Sequence, residues 1–223
     1  MKSNTLIVFD WDGTLMDSVP RIVSCMQSMA KHAGLAVPAE SAIKDIIGLS
    51  LTVALEQLFS CSDPVEQKNL VAIYRHYYVD ADPTPSPLFP GARELLESLR
   101  DKELKLAVAT GKAREGLERA WQDTNTGHFF ADARCAYEMP SKPDPTMLLD
   151  LLSNHQASAT DALMIGDSIF DLRMARNANI ASVGVTHGVH SSERLLLEKP
   201  IAIANEFTEL RNSIEGWLSN RVG

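Results

Sequence analysis

The sequence predicts an α/β fold: a Rossmann-like parallel sheet core with a helical cap domain inserted after the first strand. Two observations predict it. Short apolar runs rich in β-branched residues alternate with amphipathic stretches, the pattern of strands joined by covering helices. One long block interrupts that alternation with helical patterns and no strand.

Leu6-Ile7-Val8-Phe9 reads as the first buried strand, and Leu104–Ala109, Ala162–Ile165, Ala181–Val185 and Ile201–Ala204 have the same character. Between them, Ala92–Arg100 carries Leu95, Leu96 and Leu99 on one helical face. Thr146–Leu152 carries Met147, Leu148, Leu151 and Leu152. The interrupting block runs from Leu15 to Pro90. Ser18 can cap a helix bearing Ile22, Val23, Met26, Met29 and Ala30. Ser41 can start a second, with Ile43, Ile46 and Ile47, and Thr52–Phe59 and Pro64–Tyr78 read as two more. Pro83, Pro85, Pro87 and Pro90, followed by Gly91, make a stiff, extended connector. The expected division is therefore residues 1–15 and 88–223 as the α/β core, and 16–87 as the helical cap with its linkers.

The chain has 223 residues, 45% of them apolar, and a formal net charge of −8. Such a surface repels nucleic acid and anionic membrane, so neither is expected as a partner. A phosphorylated small molecule would be repelled too, so an anion site must be built from local positive groups. The run before Asp10 is far too short for a signal peptide or a membrane span. Cys25, Cys61 and Cys135 form no Cys-x-x-Cys pair and read as buried reduced thiols. A cytoplasmic protein is expected, as a monomer or homodimer.

Four sites carry chemistry. Asp10-Trp11-Asp12-Gly13-Thr14-Leu15 follows the first strand, and ligands of parallel sheets bind beyond the strands' carboxyl ends. Two carboxylates two residues apart can divide the work of attacking phosphorus and moving a proton. Gly13 allows a tight turn and Thr14 can donate a hydrogen bond. Thr110-Gly111-Lys112 ends the second apolar run, where a hydroxyl and a backbone N–H can bind phosphate oxygen. A nucleotide-binding P-loop is excluded there, because its first glycine falls on Leu106 and Ala113 replaces the required hydroxyl. Lys142, in Ser141-Lys142-Pro143-Asp144-Pro145, can neutralise a phosphate. Gly166-Asp167-Ser168 with Asp171 places hard carboxylates where a helix begins, which suits Mg²⁺ or, more plainly, helix capping. Read together, Asp10, Asp12, Asp167 and Asp171 would repel one another and any phosphate. A divalent cation plus Lys142 removes that conflict.

At these residues the chain resembles the haloacid dehalogenase-like hydrolase superfamily, whose four motifs occur here in order from Leu6 to about Val185. The helical insert resembles the cap of the phosphoglycolate-phosphatase-like branch. The resemblance implies a Mg²⁺-dependent phosphatase acting on a small phosphorylated metabolite through a phospho-aspartyl intermediate on Asp10. It implies that Asp12 is the acid/base, with its backbone carbonyl on the metal, and that Thr110, Gly111 and Lys142 hold the phosphoryl group. Asp10 and Asp167 would ligate Mg²⁺. Asp171 would ligate through water or orient Lys142, with Ser168 beside it. Gly111-Lys112 stands where phosphoglycolate phosphatases commonly have Asn-Lys, a departure that weighs against phosphoglycolate itself.

A sugar phosphomutase is the first alternative, but the histidine its cap helix would carry falls on Ile22. An inorganic pyrophosphatase or nucleotidase is another. A dehalogenase normally lacks the second aspartate, and a catalytically dead binding protein would lack a motif residue. The loop Gly48-Leu49-Ser50 reads either as a helix–helix turn or as a cap loop facing the aspartates. His187 and His190 border the site and are expected to hydrogen-bond rather than to hold zinc. Tyr74–Tyr78 could form a ligand-facing cap surface but reads rather as helix packing with Arg75 exposed, and Trp121 and Trp217 read as packing residues.

Overall fold

In the computed structural model, which describes residues 5–221, six parallel strands form one sheet. The strands are β1 (Leu6–Phe9), β2 (Lys105–Ala113), β3 (Asp132–Ala136), β4 (Ala162–Gly166), β5 (Ala181–Val185) and β6 (Ala202–Ala204). Their order is β3-β2-β1-β4-β5-β6. This is the doubly wound order, in which a crevice opens beyond the carboxyl ends of the central strands. β1 is the central strand in function: Ile7 registers with Leu106 on β2 and with Leu163 on β4.

The period-2 alternation along β1 explains the layers. Ile7 and Phe9 pack with Leu106, Val108, Leu163 and Ile165 under α5 (Ala92–Asp101), α6 (Arg114–Thr124) and α10 (Phe207–Ser219). Leu6 and Val8 pack on the opposite face with Ala107 and Met164, under α7 (Thr146–His155) and α8 (Ile169–Asn177). A short helix, α9 (Ser192–Leu196), lies between β5 and β6. Strands buried on both faces read as continuous apolar runs, which is why they were legible.

β3 is a strand that the sequence reading did not anticipate. Its Asp-Ala-Arg-Cys-Ala sequence buries only Ala133, Cys135 and Ala136, and it lies on the sheet edge. Charged residues on an edge strand break the apolar run that marks the others.

No strand interrupts residues 19–81. The helices there are α1 (Val19–His32), α2 (Glu40–Lys44), α3 (Leu51–Phe59) and α4 (Pro64–His76), and α4 continues into a wider turn over Tyr77–Ala81. They bury a cluster of their own around Met26, Met29, Ile43, Leu55 and Leu70, against which Phe170 and Val189 of the sheet layer also pack. Asp63 caps α4 by accepting from the N–H groups of Val65 and Glu66, with Pro64 as the first helical residue. Two expected starts differ. α2 begins at Glu40 behind Ala39, and Ser18 precedes α1 without its side chain capping it. The Ser18 hydroxyl is engaged at the active site instead.

The two segments joining this helical block to the sheet run side by side. Asp17 N donates to Pro87 O at 2.8 Å, Phe89 N donates to Leu15 O at 3.0 Å, and Met16 pairs with Leu88 in antiparallel sense. Residues 82–87 are extended, as their prolines require.

Candidate active site

Four chain segments meet at the carboxyl ends of the central strands, and each brings one of the anticipated motifs. Asp10 leaves β1, Thr110 lies near the end of β2, Lys142 precedes α7, and Asp167 leaves β4. All four are nearly or fully buried. Lys142 is only 2% exposed, which is unusual for a lysine and is explained by its partners. Its Nζ lies 2.5 Å from Asp171 Oδ1, to which it donates, and 2.8 Å from Asp10 Oδ1. Burial opposes the charge on Lys142, but Asp10 and Asp171 outweigh it and hold the ammonium above the ordinary lysine value. The ammonium has three hydrogens, so it can serve both carboxylates, and Asp10 Oδ1 is a buried oxygen held in an ion pair with it.

Asp167 is clamped. Thr14 Oγ1 donates to its Oδ1 at 2.7 Å, and the Val189 N–H donates to its Oδ2 at 2.9 Å. Asp171 accepts from Ser168 N at 3.1 Å and from Ser168 Oγ at 2.6 Å. Ser168 in turn caps α8, so the capping and the site-building readings of this motif coexist in one hydrogen-bonded turn. Burial, reinforced by Asp171, pushes the Asp10 carboxyl well above the usual carboxylate range against the pull of Lys142. Burial and then Asp171 bring Asp167 up to about 7.

Carboxylate oxygens of Asp10, Asp167 and Asp171 lie within 4.8 Å of one another. Three buried carboxylates face a single buried ammonium, and Asp10 Oδ1 still has acceptor capacity. A hard divalent cation fits this set, because it supplies the missing positive charge and takes oxygen donors. The Asp12 side chain does not belong to the triad. Of the residues expected to hold a cation, Asp10 and Asp167 are in the cluster and Asp171 joins them, while Asp12 can contribute only through its backbone carbonyl.

The Asp12 carboxylate is held elsewhere. Lys112 Nζ donates to Oδ1 at 2.9 Å and to Oδ2 at 3.0 Å, and Ser18 Oγ donates to Oδ1 at 2.7 Å. Lys112 also donates to the Tyr78 hydroxyl at 3.0 Å and lies 4.6 Å from the Tyr78 ring centre. Burial works against the Lys112 charge, but Asp12 raises it above the ordinary value. Sequence reasoning used Lys112 to exclude a P-loop and to mark the departure from Asn-Lys, took Ser18 as a helix cap, and read Tyr78 chiefly as packing. Ser18 and Lys112 reach Asp12, and Tyr78 reaches Lys112, through contacts that no local pattern marks.

Gly48-Leu49-Ser50 is a loop between α2 and α3, and it rests on three of the four motifs. A Cβ on Gly111 would stand 2.4 Å from Leu49 O and 2.7 Å from Gly48 O. A Cβ on Gly48, where φ is +105°, would stand 2.8 Å from Ser168 Oγ. Ser50 N donates to Ser141 Oγ at 2.9 Å. Beside this loop, Arg194 pairs with Asp45. The contacts place the loop over the catalytic end of the sheet, as a plain helix–helix turn would not be.

A cavity of about 180 Å³ lies between the helical block and the sheet. Asp10, Asp12, Thr110 and Gly111 line one end, Ile22, Met26 and Leu49 line its side, and Tyr74 and Tyr78 line it too. The tyrosines are thus more than helix packing, while Arg75 is exposed as expected. The histidines do not gather. His187 Nε2 donates to Thr14 O at 2.9 Å and its ring stacks with Phe207. His190 Nδ1 accepts from Ile169 N at 2.9 Å, and burial, aided by Arg194, lowers its pKa to about 4. Among the described residues Trp121 stacks on Phe130, and Cys25, Cys61 and Cys135 are free and buried. No helix among them is long and apolar enough to cross a membrane.

The family model for haloacid dehalogenase-like hydrolases matches residues 7–185, which span all four motifs and the helical insert. The chain belongs to the haloacid dehalogenase-like hydrolase family. Its relatives make it a hydrolase of the phosphatase type. A phosphoglycolate phosphatase of Vibrio cholerae is 32% identical over 218 residues, covering 94% of this chain and 96% of that protein. The probable phosphatase IndB of Dickeya dadantii is 32% identical over 212 residues, covering 92% and 91%. Among solved structures, a haloacid dehalogenase-like family hydrolase of Streptococcus pneumoniae superposes with a TM-score of 0.81 at 28% identity, covering 96% of this chain and all of that one.

Proposed function

We propose that this enzyme is a Mg²⁺-dependent phosphatase that hydrolyses a small phosphomonoester through a phospho-aspartyl intermediate on Asp10. The observation that carries the reading is the meeting of Asp10, which lines the cavity, with the Lys142 ammonium at 2.8 Å and the Asp167 and Asp171 carboxylates. Residues 1–15 and 88–223 serve as the catalytic core and 16–87 as the cap with its linkers. Three free thiols suit a reducing cytoplasm.

In the first half-reaction the Asp10 carboxylate forms a bond to phosphorus while the ester P–O bond breaks. Asp12 gives a proton to the departing alkoxide. In the second, Asp12 takes a proton from a water that attacks the acyl phosphate, releasing inorganic phosphate and restoring Asp10. Thr110 and the backbone at Gly111 hold the transferring oxygens, and Lys142 stabilises their charge. Asp10, Asp167 and the Asp12 carbonyl, with Asp171 behind them, would hold Mg²⁺, which would supply charge neutralisation and orientation. Ile22 lines the cavity on the first cap helix and offers no group that could serve a mutase as a base there. The relative named phosphoglycolate phosphatase supports a small phosphomonoester as substrate, while Gly111-Lys112 in place of Asn-Lys weighs against phosphoglycolate itself.

The test is phosphate release from a panel of phosphomonoesters, with EDTA and with Mg²⁺, by the wild type and by Asp10→Asn. Release is expected only with Mg²⁺. The variant should lose about 10⁴-fold in kcat, the scale on which a covalent nucleophile is lost. Wild-type turnover by Asp10→Asn would end this reading.

A further inference from the structure

We infer that the alcohol part of the substrate is an uncharged, apolar body of about the size of a ring or a six-carbon chain, rather than a short carboxylate-bearing alcohol. The inference rests on the phosphatase reading above and narrows it to a substrate class.

The cavity runs from the buried aspartates to an exposed mouth, so whatever is esterified to the phosphoryl group must occupy the space between. That stretch is lined by Ile22 and Met26 of α1, Leu51 and Ala54 of α3, and Val71 of α4. On α4 and the turn after it, Tyr74 and Tyr78, stacked on each other at 5.8 Å between centroids, add aromatic carbon to the lining. The whole cavity, about 180 Å³ with its phosphoryl end included, is of the order of the roughly 150 Å³ of an apolar cavity that admits benzene. A two-carbon acid would leave much of this wall uncovered.

The charges point the same way. Three cationic side chains line the cavity: Lys112, Arg75 and Arg119. Lys112 is committed to both oxygens of Asp12 and to Tyr78. Arg75 and Arg119 are exposed at the mouth, and Arg75 faces Glu115 at 3.9 Å. Among the described lining residues, no buried cation is left to receive a substrate carboxylate. A carboxylate against Ile22 and Met26 would lose its hydration without gaining a partner. An apolar body there gains from every methylene it buries.

The departure at Gly111 fits the same picture. Where an asparagine side chain could offer a polar contact, the space is filled by the carbonyls of Gly48 and Leu49. The wall near the phosphoryl end is therefore cap backbone with Leu49 beside it.

The test is a series of straight-chain alkyl phosphates from ethyl to hexyl, with phosphoglycolate and p-nitrophenyl phosphate, assayed for kcat/KM with Mg²⁺. The alcohols of the alkyl series are nearly equal as leaving groups, so changes report on the cavity. Burial at about 0.8 kcal/mol per methylene corresponds to about a fourfold rise in kcat/KM for each added carbon until the wall is covered. Phosphoglycolate is expected to fall below ethyl phosphate. Leu51→Asp, a change at the first residue of α3 where an acid suits the helix, should lower the hexyl-to-ethyl ratio at least tenfold. A flat alkyl series in wild type, phosphoglycolate above hexyl phosphate, or an unchanged ratio in folded Leu51→Asp would each overturn the inference while leaving the phosphatase reading intact. No release from any ester, p-nitrophenyl phosphate included, would overturn both. Should Leu51→Asp not fold, the wild-type series decides alone.

Discussion

Lys112 reaches both carboxylate oxygens of Asp12, at 2.9 and 3.0 Å, from β2, the strand paired with β1. Ser18 takes a further position on Oδ1. On the proposed mechanism Asp12 hands a proton to the leaving oxygen, which needs one oxygen released from this grip. Lys112 would then govern the availability of Asp12, and it also bonds Tyr78 of the helical block. Lys112→Met should lower kcat for an alkyl phosphate by about 10–10²-fold, within the range of general acid catalysis. The loss should be smaller for p-nitrophenyl phosphate, whose leaving group needs no proton. Equal losses on both esters would assign Lys112 a purely structural part.

Among the described residues Lys142 is the only ammonium beside Asp10 and Asp171, and all three are buried. Removing one partner of such a group leaves uncompensated charge inside, a loss of about 3–5 kcal/mol. Lys142→Met should show that loss in denaturant unfolding of the metal-free protein, and Mg²⁺ should return part of it. Its kcat should fall about 10²–10³-fold, as when one electrostatic stabiliser of a transition state is removed. A variant as stable as wild type without metal would contradict the charge balance drawn here.

The titration of the triad gives a pH signature. Asp167 is raised to about 7 by burial and Asp171, and Asp10 is raised as well. An unfolded chain releases these protons near pH 4. Between about 4 and 7 the metal-free triad holds more protons than the same groups in the unfolded chain, so its contribution to stability falls as pH rises through that window. A bound cation takes the place of the protons and reverses the trend. Thermal melts should show a Tm gain on adding Mg²⁺ that is larger at pH 7.5 than at pH 5. A gain independent of pH would place the cation outside the triad.

Gly111 has an ordinary backbone conformation, so its requirement is steric: the carbonyls of Gly48 and Leu49 fill the space of a side chain. Gly111→Ala should displace the cap loop and lower kcat/KM by about 10–10²-fold, the scale of a 1 Å misplacement at a reacting site. Gly111→Asn should lower it further. Both variants should melt close to wild type, because the displaced loop is not part of either sheet-face core. Unchanged kinetics in Gly111→Ala would mean that turnover proceeds with the loop lifted.

Much of this was legible in the sequence, and the exceptions share one cause. β1, β2, β4 and β5 are apolar on both faces, so composition alone marks them. β3 carries Asp132 and Arg134 on an edge and does not announce itself. Asp10, Thr110 and Asp167 could be placed at one crevice because each lies at the end of an apolar run, and Lys142 because the carboxylates there need a counter-charge. The roles of Ser18, Lys112 and Tyr78 could not, because Ser18 and Lys112 meet at Asp12, and Tyr78 meets Lys112, only in the folded chain. The cap loop was recognisable as a loop from Gly48, but its seat on Gly111, Ser141 and Ser168 depends on how the helical block docks.

The paired segments between sheet and helices carry a mechanical consequence. A single covalent tether would leave the helical block free to swing, twist and slide. Here Leu15–Asp17 and Pro87–Phe89 are laced together by two backbone hydrogen bonds and a bridge, and prolines keep the return segment from coiling. Such a double tether acts like a door hinge, with one easy axis and stiff resistance to the rest. Any movement of the Gly48–Ser50 tip would then be confined to a narrow arc, and Gly111, Ser141 and Ser168 form one seat for it.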